Sequence, residues 1–153
     1  KDEPDAVLAR ITTHQSLWDA VRDVSHVQEN GPERVPEKKA LFEELDRAAP
    51  KDAVLASSTS GIPASAFTEN LPGRARCLVG HPVNPPHLVP VVELCGAPWT
   101  DPAVIARARA LYEAAGQAPV GKRSTTSPAV GYFASRRSLR SLGPEPIRSR
   151  ANS

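Results

Sequence analysis

Residues 24–58 read VSHVQENGPERVPEKKALFEELDRAAPKDAVLASS, and their order decides the fold. Val24 to Gln28 reads as a short strand, ending at the turn Glu29-Asn30-Gly31. Pro36 fits the first turn of a helix, where its missing N–H would have no intrahelical partner in any case. Ala40, Leu41, Leu45 and Ala48 then recur at helical spacing until Pro50 stops the helix. Val54 to Ser58 reads as a second short, buried strand. A helix between two strands predicts parallel pairing through a crossover, the building unit of an α/β sheet.

The same alternation extends outward. Upstream, Ala6 to Thr13 reads as a helix end followed by a short strand, and Ser16 as the N-cap of a helix over Leu17 to Val21. Downstream, Pro63 starts a helix through Glu69, and Cys77–Gly80 and Val91–Leu94 are strands. Asp101-Pro102 opens what reads as the longest helix, with Val104, Ile105, Ala108, Leu111 and Ala115 on one apolar face and Gly116 at its end. Such a chain predicts a largely parallel sheet, whose sites gather at the carboxyl ends of the strands. Glu29, Ser60 and His81 all fall at such ends.

The stretch from His81 to Gly96 is His-Pro-Val-Asn-Pro-Pro-His-Leu-Val-Pro-Val-Val-Glu-Leu-Cys-Gly. Pro82, Pro85, Pro86 and Pro90 deny it a helix, because each fixes φ and removes a backbone donor. If the flanking strands lie side by side, His81 can meet Glu93. An imidazole oriented by a carboxylate can take a proton from an alcohol near neutral pH.

These pieces occur in the order of a known family. Val27-Gln28-Glu29-Asn30 with Pro32-Glu33, Lys38 and Leu41-Phe42, Ala56-Ser57-Ser58-Thr59-Ser60, His81 to Asn84, Glu93, and Gly116 with Pro119-Val120 together resemble the later part of the NAD-binding domain of the 3-hydroxyacyl-CoA dehydrogenase superfamily. The Pro82-Val83 pair after the histidine is similar to the lambda-crystallin and L-gulonate 3-dehydrogenase branch, and carnitine dehydrogenase looks similar here too. The resemblance implies an α/β fold, the second part of a Rossmann-like domain with a mostly parallel sheet. It implies NAD as cofactor and a small-molecule substrate, an L-3-hydroxyacyl-CoA or a small L-3-hydroxy acid, oxidised to the 3-keto product. His81 would be the base and Glu93 its partner, Ser60 a substrate contact, and Glu33, Lys38 and Asn84 cofactor contacts. Read without the family, Ser60 suits capping of the helix at Pro63, Lys38 a solvated helix face, and Glu33 a first-turn residue offsetting the helix dipole.

Two parts of the family pattern are missing. The chain begins at Lys1 and contains no Gly-x-Gly-x-x-Gly phosphate loop. After Val120 it reads Gly-Lys-Arg-Ser-Thr-Thr-Ser-Pro where the family continues Gly-Phe-x-x-Asn-Arg-Leu into a helical domain carrying a catalytic Asn and the homodimer surface. The expectation is therefore impaired catalysis. The alternative is a non-catalytic remnant that interacts through an open sheet edge or through its basic tail.

Composition divides the chain at residue 120. The net charge is +2, but 121–153 carries Lys122, Arg123, Arg136, Arg137, Arg140, Arg148 and Arg150 against Glu145, leaving 1–120 net acidic. The Arg/Ser/Pro-rich tail lacks an apolar period and is expected to be disordered, with nucleic acid not expected as its partner. No signal-peptide pattern or membrane-length apolar run occurs, so a cytoplasmic address is expected. Cys77 and Cys95 read as reduced, packed thiols rather than a disulfide framework. With His81 and His87 they match no metal-ligand spacing, so no metal is expected. Trp18 and Trp99 are read as packing residues.

Overall fold

A computed structural model of the chain describes residues 3–121. Among the described residues five α-helices and five strands follow in the order α1 (Pro4–Leu8), α2 (Leu17–Val21), β1 (His26–Glu29), α3 (Val35–Ala48), β2 (Val54–Ser57), α4 (Ser65–Thr68), β3 (Cys77–Pro82), β4 (Val91–Gly96), α5 (Pro102–Ala114) and β5 (Ala118–Val120), with one 3-10 turn (Arg74–Arg76) before β3. The strands form one sheet in the order β1-β2-β3-β4-β5. β1, β2 and β3 pair in parallel, β4 turns back antiparallel to β3, and β5 runs parallel to β4. The α/β, mostly parallel reading stands. The expected disordered tail, 122–153, lies outside the described residues.

Side-chain alternation along the strands builds two cores, one on each face of the sheet. Leu55, Cys77 and Val79 point to the side covered by α2, α3 and α4, where the Phe42 and Phe67 rings meet at a tilt of 59° with centroids 4.7 Å apart. Val54, Ala56, Leu78, Val92 and Leu94 point to the other side, which Val104, Ala108 and Tyr112 of α5 cover. Phe42 is fully buried, and removing such a ring typically costs about 3–5 kcal/mol.

The element ends follow local chemistry. Asp101 accepts a hydrogen bond from the Ala103 amide at 2.7 Å and Pro102 occupies the first turn of α5. Gly116 follows that helix at φ 79°, a conformation that a side chain would strain. Ser16 caps α2 through the Asp19 amide.

Several expectations need correction. Residues 9–13 form no strand, because no strand among the described residues offers them a ladder. α3 is one residue longer than α5, and its buried face is Lys38, Phe42, Leu45 and Asp46, rotated from the aliphatic pattern. On α5, Leu111 and Ala115 are exposed and Tyr112 takes the inward position four residues after Ala108. Trp18 is 56% exposed, whereas Trp99 packs, donating from Nε1 to Thr68 Oγ1 at 3.2 Å beneath the Arg74 guanidinium. Both cysteines are free, but only Cys77 is buried; Cys95 is exposed and pairs in register with Val79.

One buried ion pair braces the entry to β3. Arg76 donates to Asp46 Oδ1 from Nε at 3.2 Å and from Nη2 at 2.8 Å, while Asp46 Oδ2 accepts from the Gly73 amide. Arg76 also reaches the carbonyls of Asp46 and Pro50, so the pair holds the end of α3 to the start of the strand that carries His81.

Candidate active site

The carboxyl ends of β1, β2 and β3 lie together because these strands are parallel and in register, with Glu29 beside Ser57 and Ser57 beside Val79. His81 is two residues beyond Val79 and Ser60 three beyond Ser57, so both reach the same edge. The proline-bearing loop after Pro82 then returns the chain as β4. Its register places Glu93 directly opposite His81.

His81 Nδ1 and Glu93 Oε2 are 3.0 Å apart. An ionised carboxylate only accepts, so the proton in this bond sits on Nδ1, which leaves Nε2 as the ring nitrogen turned away from Glu93. The imidazole is half-buried and the carboxylate more open, so the pair is reachable from solvent. Asn84 follows in the exposed loop after β3.

A second carboxylate stands at this edge. Glu33 accepts hydrogen bonds from the Thr59 hydroxyl and from the Gly61 amide, the latter at 3.1 Å. Its modest desolvation favours the neutral acid, but bonds from Thr59, Gly61 and the Ser60 backbone, with the nearby Lys38 charge, outweigh it and hold the carboxyl below its ordinary value. The hydroxyl that ties this loop locally belongs to Thr59, which accepts from the Ile62 amide at 2.9 Å, and α4 has no side-chain cap.

Lys38 is not on a solvated face. Its side chain is 2% exposed, and Nζ lies 3.0 and 2.9 Å from the two oxygens of Glu29. Glu29 also accepts from Ser57 Oγ at 2.6 Å and from the Gly31 amide. Sequence reasoning placed Glu29 at the site edge but did not identify this network, whose members lie far apart in the chain.

Behind β3, on the α5 face, Gln28 donates to the Gly80 carbonyl at 2.9 Å and to Ser58 Oγ, and accepts from the Tyr112 hydroxyl. Burial pushes the Tyr112 phenol up to about 12 and the nearby His26 imidazole down, against a weaker opposing bond from Gln28. Gly80 is required here: a Cβ would meet the Tyr112 ring at 3.0 Å from Cζ and the hydroxyl more closely still. Gln28 and Tyr112 were not foreseen, since neither residue type nor spacing marks them.

A cavity of about 300 Å³ lies elsewhere, against Leu17, Trp18, Glu44, Arg47 and Ala48. It holds no histidine, whereas the His81 edge is an open shelf. Among the described residues no group of three His, Cys, Asp or Glu side chains is arranged to hold a metal, and no helix is long and apolar enough to cross a membrane.

Comparison with known proteins agrees with this architecture. L-carnitine dehydrogenase from Streptomyces coelicolor is 41% identical over 111 residues, 72% of this chain and 35% of that protein. The lambda-crystallin homolog of Bos taurus is 42% identical over 113 residues, 74% of this chain and 35% of that protein. The chain thus spans about a third of the length of these curated relatives. The crystal structure of 3-hydroxybutyryl-CoA dehydrogenase from Escherichia coli superposes with a TM-score of 0.75 at 27% identity, covering 79% of this chain and 25% of that one. The family description "3-hydroxyacyl-CoA dehydrogenase, NAD binding domain" matches residues 1–125, and the chain belongs to that family.

Proposed function

We propose that these residues form the substrate-side half of an NAD-dependent dehydrogenase that oxidises the secondary alcohol of an L-3-hydroxy acid, or of its CoA thioester, to the ketone. The observation that carries this reading is the His81–Glu93 pair, 3.0 Å apart at the carboxyl edge of the parallel strands. The hydroxyl proton passes to His81 Nε2 as the carbonyl forms, and Glu93 stabilises the imidazolium. Ser60 donates to the substrate oxygen and holds the carbinol carbon in place. NAD, when bound, supplies the acceptor for the hydride that leaves that carbon.

The donor set suits the nicotinamide half of that cofactor. Glu33, kept ionised, can accept from ribose hydroxyls, and Asn84 can bond the carboxamide. Lys38, buried on Glu29, contributes through the turn that carries Glu33 rather than by direct contact. These 153 residues contain no Gly-x-Gly-x-x-Gly, so they supply no glycine turn for the pyrophosphate, and cofactor affinity from them alone is weak. The relatives named L-carnitine dehydrogenase support a small acid over a long acyl-CoA as substrate.

The experiment is turnover of purified chain with NAD and either L-carnitine or an L-3-hydroxybutyryl thioester, followed by NADH absorbance. Measurable oxidation that falls by about 10²-fold or more in His81→Ala supports the base assignment. Oxidation unaffected by that substitution, or none with either substrate, overturns the reading for this molecule. The second reading is a non-catalytic protein that associates through a sheet edge, since β1 ends the sheet among the described residues. Concentration-dependent dimerisation without cofactor binding would support it.

A further inference from the structure

We infer that the buried Glu29–Lys38 pair is a positioning element that locks the turn after β1 to the loop after β2, fixing the spacing between Glu33 and Ser60. This rests on the proposed reading of Glu33 and Ser60 as ligand contacts. The two segments belong to different crossovers, and their backbone pairing ends at the bond from the Ser58 amide to the Glu29 carbonyl, so beyond it some other connection must set their separation.

The connection is continuous. Lys38 neutralises Glu29 from α3, at 3.0 and 2.9 Å. Glu29 in turn accepts from the Gly31 amide, which shapes the turn, and from Ser57 Oγ at 2.6 Å. Ser57 Oγ accepts from the Thr59 amide at 3.3 Å, and the Thr59 hydroxyl donates to Glu33, back on the first segment. Glu33 completes the loop by accepting from the Gly61 amide at 3.1 Å. Each link joins one segment to the other or stiffens one of them, and the ring closes through Ser57 and Thr59.

Burial explains why an ion pair serves this purpose. Glu29, Lys38 and Ser57 are all within the core, where a charge without its partner is strongly unfavourable, so the pair has one satisfied geometry and resists sliding. Alternation puts Glu29, Ser57 and His81 on the same face, with the first two one pleat below the His81–Glu93 row. The pair therefore acts as the floor under the shelf and touches neither substrate nor cofactor.

The test is amide hydrogen exchange, followed by NMR, in wild type, Glu29→Gln and Ser57→Ala, with NADH titrated into each. Ser57→Ala cuts the ring without stranding a charge and decides the matter if Glu29→Gln does not fold. The expected result is exchange faster by about tenfold at Gly61 and Ile62 in the folded variants, with the Ala97 amide, held by Thr100, unchanged. Where wild type binds NADH, its Kd rises in step. Faster exchange with no NADH binding even in wild type leaves the lock standing and removes the cofactor reading. Unchanged exchange at Gly61 and Ile62, or faster exchange with NADH affinity retained, overturns the inference.

Discussion

Gly80→Ala should distort the shelf from behind. Gly80 is not in a positive-φ conformation, so the backbone accepts alanine, and a strand favours it over glycine by about 0.5–1 kcal/mol. Against that, the new Cβ would lie 3.0 Å from Tyr112 Cζ, 3.3 Å from Cε2 and nearer to the hydroxyl. The ring is only 9% exposed and is held by Gln28 and His26, so relieving the clash means moving a packed side chain. Overpacking of this kind costs about 1–3 kcal/mol, and loss of the Tyr112–Gln28 bond about 1 kcal/mol more. The net expectation is destabilisation by about 1–3.5 kcal/mol. Urea unfolding of wild type, Gly80→Ala, Tyr112→Phe and the double variant measures it. Removing the hydroxyl takes away the closest obstacle, so the second substitution should recover about 1 kcal/mol of the first. Strictly additive costs, or a neutral Gly80→Ala, would refute the argument that this glycine exists to admit the tyrosine.

Three further outcomes are expected. Arg76→Met leaves the Asp46 carboxylate buried without its partner and should cost about 3–5 kcal/mol in urea unfolding, far more than Arg22→Met at an exposed pair. Alkylation at pH 8 followed by mass spectrometry should modify Cys95 long before Cys77, whose thiol burial pushes up to about 12, with Cys77 reacting only on unfolding. Glu33 has a depressed pKa in the fold, so its contribution to stability is present above the ordinary glutamate value and is lost as pH falls through the lower folded value. Thr59→Val should move the Glu33 titration midpoint, read by carbon NMR, upward toward the ordinary value.

Much of the sheet is legible in the sequence because its signals are local. Short apolar runs bounded by Gly and Pro mark β2, β3 and β4, and the prolines between His81 and Glu93 exclude a helix, leaving a turn that brings the two strands back together. The interior polar networks are not local. Lys38 on a helix reads as solvated until Glu29 is seen to arrive from β1 and Ser57 from β2. Tyr112 is hidden by its neighbour Leu111, since either could face inward on periodicity alone and only contact with Gly80 and Gln28 selects the tyrosine. The strand expected near Thr13 shows the converse, a local pattern that forms nothing because no strand among the described residues pairs with it.

The most direct measurement is a two-dimensional NMR titration of the chain with NADH. The account predicts saturable shifts at the amides of Glu33, Ser60, His81 and Asn84, with a Kd between about 10 µM and 1 mM, or about −4 to −7 kcal/mol, while α5 and β5 stay still. No shifts at millimolar NADH, or shifts confined to the cavity beside Trp18, would contradict it.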